Sequence, residues 1–132
     1  MADTQAMAAE FDAAYRSGDM SQMTRIAHKY GAPDFVQEWP QSGERLNLEN
    51  SIKLIDSYAE MSGGHEPTFT YKGMQGGGDV FVVEGTIDYG DGVPVSYVGI
   101  GQLRDGKVTK MTEYFANPFP APEWRAPFVE KG

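Results

Sequence analysis

The sequence contains no cysteine. Disulfides are therefore excluded, and thiolate metal sites with them. Histidine is almost absent too, with two residues, His28 and His65. Neither stands near Asp or Glu at a metal-ligand spacing, so no metal is expected. His28 lies beside Arg25 and Lys29 on what reads as a solvated helix face, and His65 falls in a glycine loop. Basic residues are scarce: 11 Lys and Arg stand against 19 Asp and Glu, a formal charge of -8. That field repels a phosphate backbone, and no stretch interleaves Lys and Arg with aromatics, so nucleic acid is not an expected partner. No apolar run approaches the ~20 residues of a membrane helix. The first residues lack the basic and apolar regions of a secretory signal. Neither a membrane partner nor a cofactor is expected, and the cytoplasm is the default location.

What is present is core-forming material. Of 132 residues, 40% are hydrophobic and 12% aromatic. A chain of this length buries roughly two thirds of its extended surface on folding, enough for one domain over residues 1–132.

The first third reads as helix. Met7, Phe11 and Ala14–Tyr15 recur at helical spacing after an Asp3 or Thr4 cap, and Gly18 marks the stop. Asp19 can cap a second helix carrying Met20, Met23, Ile26–Ala27 and Tyr30, ended by Gly31 and Pro33. A short extended piece, Phe35 to Trp39, stops at Pro40, and Gln41 to Glu44 reads as loop. Asn47 caps a third helix from Leu48 to about residue 61, terminated by Ser62-Gly63-Gly64 and Pro67.

After Pro67 the pattern changes to strands divided by glycine turns: Thr68 to Met74, Asp79 to Tyr89, Val93 to Arg104 and Lys107 to Phe115. Asp105-Gly106 is a hairpin signal, because both central positions of a tight turn then accept positive φ. Helices first and strands afterwards give an α+β domain with an antiparallel meander. The tail carries Pro118, Pro120, Pro122 and Pro127 with Phe119, Trp124 and Phe128. Residues 118–132 are expected to lie extended and packed on the body. Gln75-Gly76-Gly77-Gly78-Asp79 has no Gly-Lys-Ser/Thr and precedes a strand, so it is a hairpin turn rather than a phosphate loop.

This element order, with Gly106-Lys107-Val108-Thr109-Lys110-Met111-Thr112-Glu113-Tyr114-Phe115, resembles the SnoaL-like branch of the nuclear transport factor 2-like superfamily. Ser17-Gly18-Asp19, Trp39-Pro40-Gln41-Ser42-Gly43-Glu44-Arg45, Val83-Glu84 and Asp88-Tyr89-Gly90 carry it further, as does the run Pro118 to Arg125. The resemblance implies a cone: three N-terminal helices packed on a curved sheet around an internal pocket. It also spans several chemistries, among them polyketide cyclases, ketosteroid isomerases, epoxide hydrolases, dehydratases and non-catalytic binders, so pocket residues must decide.

Strand parity sorts those residues. Met111, Glu113 and Phe115 share one face of the last strand, and the apolar pair makes it the covered face. A carboxylate held between Met and Phe is desolvated, which suits proton transfer, and epoxide hydrolases of this fold place a pocket carboxylate there. The alternative is a rim residue paired with Arg or Lys. Glu38 is the second candidate, with Val36 on the same side of its strand and Trp39 on the other; the alternative is a solvent-facing Glu at a sheet edge. On the strands before, Phe81, Val83, Gly85, Ile87 and Tyr89, then Val95, Tyr97, Gly99 and Gly101, are the inner sets. The glycines leave room for a bulky ligand or for curvature. Tyr97, Tyr15, Tyr58 and Tyr89 are possible hydrogen-bond donors to a ligand, or simple packing groups.

Two family mechanisms lose their residues here. The Arg and Asp pair of the epoxide hydrolases corresponds to Gly85 and Ile87, and the first-helix Tyr of the steroid isomerases to Phe11. The expectation is a small-molecule pocket protein, catalytic residues Glu113 and Glu38, lined by Phe11, Tyr15, Val36, Phe81, Val83, Tyr97, Met111 and Phe115. It would act as a cyclase- or isomerase-type acid-base enzyme on a small hydrophobic carbonyl compound. The rival reading is a non-catalytic binding or dimerisation module. Under either, a homodimer through the convex sheet face of Val80, Val82, Val98 and Ile100 is expected.

Overall fold

A computed structural model of the chain describes residues 2–61 and 67–130, and of residues 2–5, 20, 21 and 58–61 the backbone alone. Helix α1 spans Ala2–Ser17 and α2 spans Met20–Tyr30; β1, Gly31–Trp39, follows directly. Then come β2, Glu44–Asn47, and α3, Leu48–Met61. The remaining strands are β3, Thr68–Gly77; β4, Val80–Asp88; β5, Val95–Arg104; and β6, Lys107–Ala116. A 3-10 turn, Glu123–Phe128, lies in the tail.

Local signals account for most boundaries. Gly18 adopts φ 67 behind α1, a left-handed stop that few other residues accept. The Asn47 side chain accepts a hydrogen bond from the Asn50 amide at 2.8 Å and caps α3 as expected. Asp105 and Gly106 turn the last hairpin with φ 52 and 74, both positive. Two expectations shift. Helix α1 already includes Asp3 and Thr4, so neither is its cap. Strand β1 begins at Gly31 and runs through Pro33, where its pairing with β6 is irregular between Gly31 and Val36. A proline is tolerated at such a place because no ladder donor is required of it.

The sheet has the order β2-β1-β6-β5-β4-β3. All its joins are antiparallel except β1 with β6, which run parallel with Val36 beside Lys110 and Glu38 beside Thr112. Strand β2, read from the sequence as loop up to Glu44, pairs Trp39 with Glu44 and Val36 with Asn47. Its residues Glu-Arg-Leu-Asn carry no β-branched side chain. The hairpin with β1 forms the strand, not intrinsic preference.

The helices cover the concave face. Met7, Phe11 and Ala14 of α1 and Ile26 of α2 are buried against Phe35, Phe69, Phe81, Val83, Tyr97, Val108 and Met111 of the sheet. The Phe11 ring lies 5.4 Å from Phe81 and 5.8 Å from Tyr30. Each large side chain so buried contributes on the order of 1.5–3 kcal/mol. The inner glycines serve these rings. A side chain at Gly101 would overlap Phe81, its cross-strand neighbour, and one at Gly85 would overlap Phe69. Much of the space that glycine opens on the concave face is thus filled by the protein's own aromatics.

The tail departs from expectation. Phe119, Trp124 and Phe128 are 74%, 73% and 83% exposed. Residues 118–130 are therefore extended and briefly turned, as their prolines require, but their aromatic side chains are not packed on the body. Apolar composition demanded cover for them and could not say that this chain alone would supply it. Among the described residues no helix is long and apolar enough to cross a membrane.

Candidate functional site

Between the helices and the concave face lies a cavity of about 210 Å³. Its walls are almost wholly apolar: Phe11, Ala14 and Tyr15 of α1, Met23 and Ile26 of α2, Leu48, Leu54 and Ile55 of α3, and Phe69, Tyr97, Met111 and Phe115 of the sheet. Such an apolar wall with a few placed polar groups is the usual make-up of a small-molecule site. Three of the polar groups here converge on one residue.

That residue is Glu113, on the inner face of β6 between Met111 and Phe115. Its Oε1 accepts hydrogen bonds from Gln37 Nε2 and, at 2.9 Å, from Trp39 Nε1. Its Oε2 accepts one from the Tyr97 hydroxyl. Each donor arrives from a neighbouring strand: Gln37 and Trp39 from β1, parallel to β6, and Tyr97 from β5, antiparallel to it. A carboxylate offers about four acceptor positions. Among the described residues two donors reach Oε1 and one reaches Oε2, which leaves Oε2 with acceptor capacity on a residue that lines the cavity. The rim alternative therefore fails. Glu113 lines the cavity, and uncharged donors hold it rather than Arg or Lys.

The phenols around it stay protonated. Burial above all, and then the charge of Glu113, pushes Tyr97 well above the ordinary phenol value. The same two causes, in the same order, raise Tyr15. The Tyr97 ring meets Phe115 at 5.4 Å and Phe69 at 5.6 Å, and Phe69 meets Tyr15 at 5.7 Å. These contacts fix the rings that border the carboxylate.

Glu38 is a correction. It points to the other side of β1, where Arg45 lies at 2.9 Å and Lys110 at 3.2 Å. Its outward neighbour Val36 likewise does not line the cavity. Sequence parity on β1 was inverted: Phe35, Gln37 and Trp39 are the inner set. Trp39 next to Pro40 offered no alternation strong enough to set the phase, although Phe35, Gln37 and Trp39 do share a face by simple count. Phe81 and Val83 are a second correction, being core residues beneath the rings rather than cavity walls. Phe11, Tyr15, Tyr97, Met111, Glu113 and Phe115 do meet at the cavity, and Tyr89 and Ile87 join them. His65 and the Tyr58 side chain lie outside the described residues, and His28 is exposed on α2. Among the described residues no three His, Cys, Asp or Glu gather where they could hold a metal ion.

Residues 8–111 match the family model described as a SnoaL-like domain. No curated protein matches the sequence. Among solved structures, the chain is similar to a nuclear transport factor 2-like protein of unknown function from Burkholderia xenovorans. The two are 30% identical over 98% of this chain and 94% of that one, with a TM-score of 0.72. A candidate ketosteroid isomerase from Kribbella flavida is 20% identical over 98% and 90% of the two chains, at TM-score 0.77. A candidate SnoaL-like polyketide cyclase from a Jannaschia species is 16% identical over 86% and 85%, at 0.65. The last two likenesses concern the fold, a nuclear transport factor 2-like cone, and carry no chemistry across by themselves.

Proposed function

We propose that this chain, which belongs to the SnoaL-like domain family, takes a small hydrophobic carbonyl compound into its cavity and moves a proton on it with Glu113. One observation carries the reading: the carboxylate is anchored through Oε1 by Gln37 and Trp39, while Oε2 keeps an acceptor position beside an apolar cavity. A base held in one orientation next to a bound substrate needs no reorganisation when the proton moves.

In this reading Oε2 takes a proton from the carbon next to the carbonyl. The C–H electron pair becomes the C=C bond of an enolate, and negative charge collects on the carbonyl oxygen. Tyr15, which lines the cavity and is kept protonated by burial, donates a hydrogen bond to that oxygen. The proton then returns to a different carbon, an isomerisation, or the enolate carbon attacks a second carbonyl of the same molecule, a cyclisation in which that carbonyl's π pair moves to its oxygen and the resulting alkoxide takes the proton back from Glu113. Tyr97 keeps its own proton on Glu113 and steadies it. Glu38, on the opposite sheet face, has no part.

The test is deuterium uptake from heavy water at the acidic carbon of hydrophobic β-diketones such as 2-acetylcyclohexanone, followed by mass spectrometry. The wild type should accelerate exchange over buffer, and Glu113→Gln should abolish the acceleration with a closely similar melting curve. Exchange retained in Glu113→Gln would sink the assignment. Mass spectrometry of ligands carried through purification would identify the natural occupant.

A second reading, a non-catalytic binding or dimerisation module, has its own support. The convex face leaves Val80 at 44% and Tyr114 at 41% exposed, with Val82, Val98 and Ile100 beside them only partly covered. An apolar strip of this kind suits pairing of two copies sheet to sheet. Such a dimer is compatible with proton transfer in each cavity.

A further inference from the structure

The cavity has a lopsided charge. Glu113 is the only charged side chain among its described lining residues, which include no Lys, Arg or His. Among the described residues no ion pair to Glu113 occurs; its partners there are an amide, an indole and a phenol. The chain as a whole is -8. An anionic ligand therefore meets one negative charge, no counter-charge and a repelling field. A cation meets the reverse.

The rings strengthen the asymmetry. Trp39 and Phe115 are 6.3 Å apart at 80°, Phe115 and Tyr97 5.4 Å at 55°, and Tyr97 and Phe69 5.6 Å at 88°. Rings turned against one another present faces as well as edges, and aromatic faces attract an ammonium group. The Tyr97 hydroxyl directs its one donor to Glu113, so its oxygen has only acceptor positions left to offer. An ammonium ion carries three donors and no acceptor. A carboxylate, a phenol oxygen and aromatic rings are what such a group requires, and Glu113, Tyr97, Trp39, Phe69 and Phe115 all line the cavity.

We propose that the pocket binds hydrophobic amines in their ammonium form, seated on the free side of Glu113 Oε2, in preference to neutral analogues of the same shape, and that it rejects the matching carboxylates. Moving an ammonium out of water is costly. The carboxylate and the aromatic faces offset that cost only if they act together, so the preference depends on the charge of Glu113. The inference rests on the same cavity as the proton-transfer reading but on no reaction. Amines of the right size would also compete with a carbonyl substrate, because both use Oε2.

Three probes sharing one ring test it: cyclohexylmethylamine, cyclohexylmethanol and cyclohexanecarboxylate, titrated calorimetrically into the full chain. The amine should bind at least about ten-fold more tightly than the alcohol, and the carboxylate should give no measurable binding. Glu113→Gln should erase the difference between amine and alcohol, and Glu113→Asp should keep part of it. Alcohol or carboxylate binding as tightly as amine would overturn the inference and leave the proton-transfer reading standing. Failure of all three probes to bind would overturn the inference alone, because the proton-transfer reading stands or falls on exchange of the β-diketone. Amine binding unchanged in Glu113→Gln would overturn the seating on Oε2.

Discussion

Gly99 stands directly across from Glu113 on the neighbouring strand, and the Tyr97 hydroxyl occupies the space that a side chain at position 99 would fill. The same side chain would come within 3.0 Å of Met111 Cε. The absence of a Cβ at 99 is thus what lets a residue two positions earlier on β5 reach across to the carboxylate on β6.

Gly99→Ala should therefore cost roughly 1–3 kcal/mol of unfolding free energy, as overpacking does. In a Tyr97→Phe background, where no hydroxyl is displaced, the same change should cost less, and chemical unfolding of the four chains measures the coupling. Equal costs in both backgrounds would show that Gly99 matters for some other reason.

Neighbouring residues on β1 should behave oppositely. Trp39→Phe removes one of the two donors to Oε1 and leaves part of a sheltered carboxylate unsatisfied, at a cost of roughly 1–3 kcal/mol. It should also depress any turnover or binding that depends on Glu113. Glu38→Gln breaks two ion pairs on the partly exposed convex side and should change stability by less than about 1 kcal/mol, with function intact. Loss of function in Glu38→Gln would restore it as a site residue.

The two β1 residues also show where sequence reading stops. The three helices, the last four strands, the Asp105-Gly106 turn and the inner face of β6 were legible because each rests on a local signal, a cap, a left-handed glycine or a clean alternation, whereas β2 had none. The phase of β1 was not, because Val36 and Glu38 balance Phe35, Gln37 and Trp39 too evenly for hydropathy to choose. Gln37 and Trp39 were missed as site residues for the same reason. Glutamine carries no signature of its own, and a tryptophan beside Pro40 reads as packing. Phe81 and Val83 were placed on the correct face but at the wrong depth, since periodicity gives a direction and not a distance. The exposed Phe119, Trp124 and Phe128 show that composition reports a need for cover without saying what provides it.

Alkaline pH should destabilise the fold through its buried phenols. Tyr71 is pushed up to about 12 by burial and by its hydrogen bond to Asp12. Tyr97 and Tyr15 are raised by burial and by the charge of Glu113. In each case the folded value exceeds that of a free phenol, so between the two the folded chain holds protons that the unfolded chain releases. Stability is then fully present below about pH 10 and declines as pH rises beyond it. Urea midpoints followed from about pH 8 to 11 should fall, and Tyr97→Phe should flatten the decline. A midpoint that stays level would contradict the assignment.

The convex strip gives a prediction of association. Val82→Lys places a charge in the middle of the apolar patch. If two copies pair through it, sedimentation velocity should show the wild type as a dimer and the variant as a monomer with an unchanged far-ultraviolet spectrum. A wild type that sediments as a monomer at all accessible concentrations would remove the proposal.

The parallel join of β1 to β6 has a consequence in time. Gln37 and Trp39 lie 76 and 74 positions from Glu113 along the chain, whereas Tyr97 lies 16 away. Tyr97 can meet the carboxylate as soon as the β5–β6 hairpin closes. The other two donors must wait for a loop of more than 70 residues to shut, and distant pairings of this kind form slowly. The indole of Trp39 is then a natural clock: its fluorescence should report a late refolding phase, and until that phase is complete the chain has a sheet but no finished site.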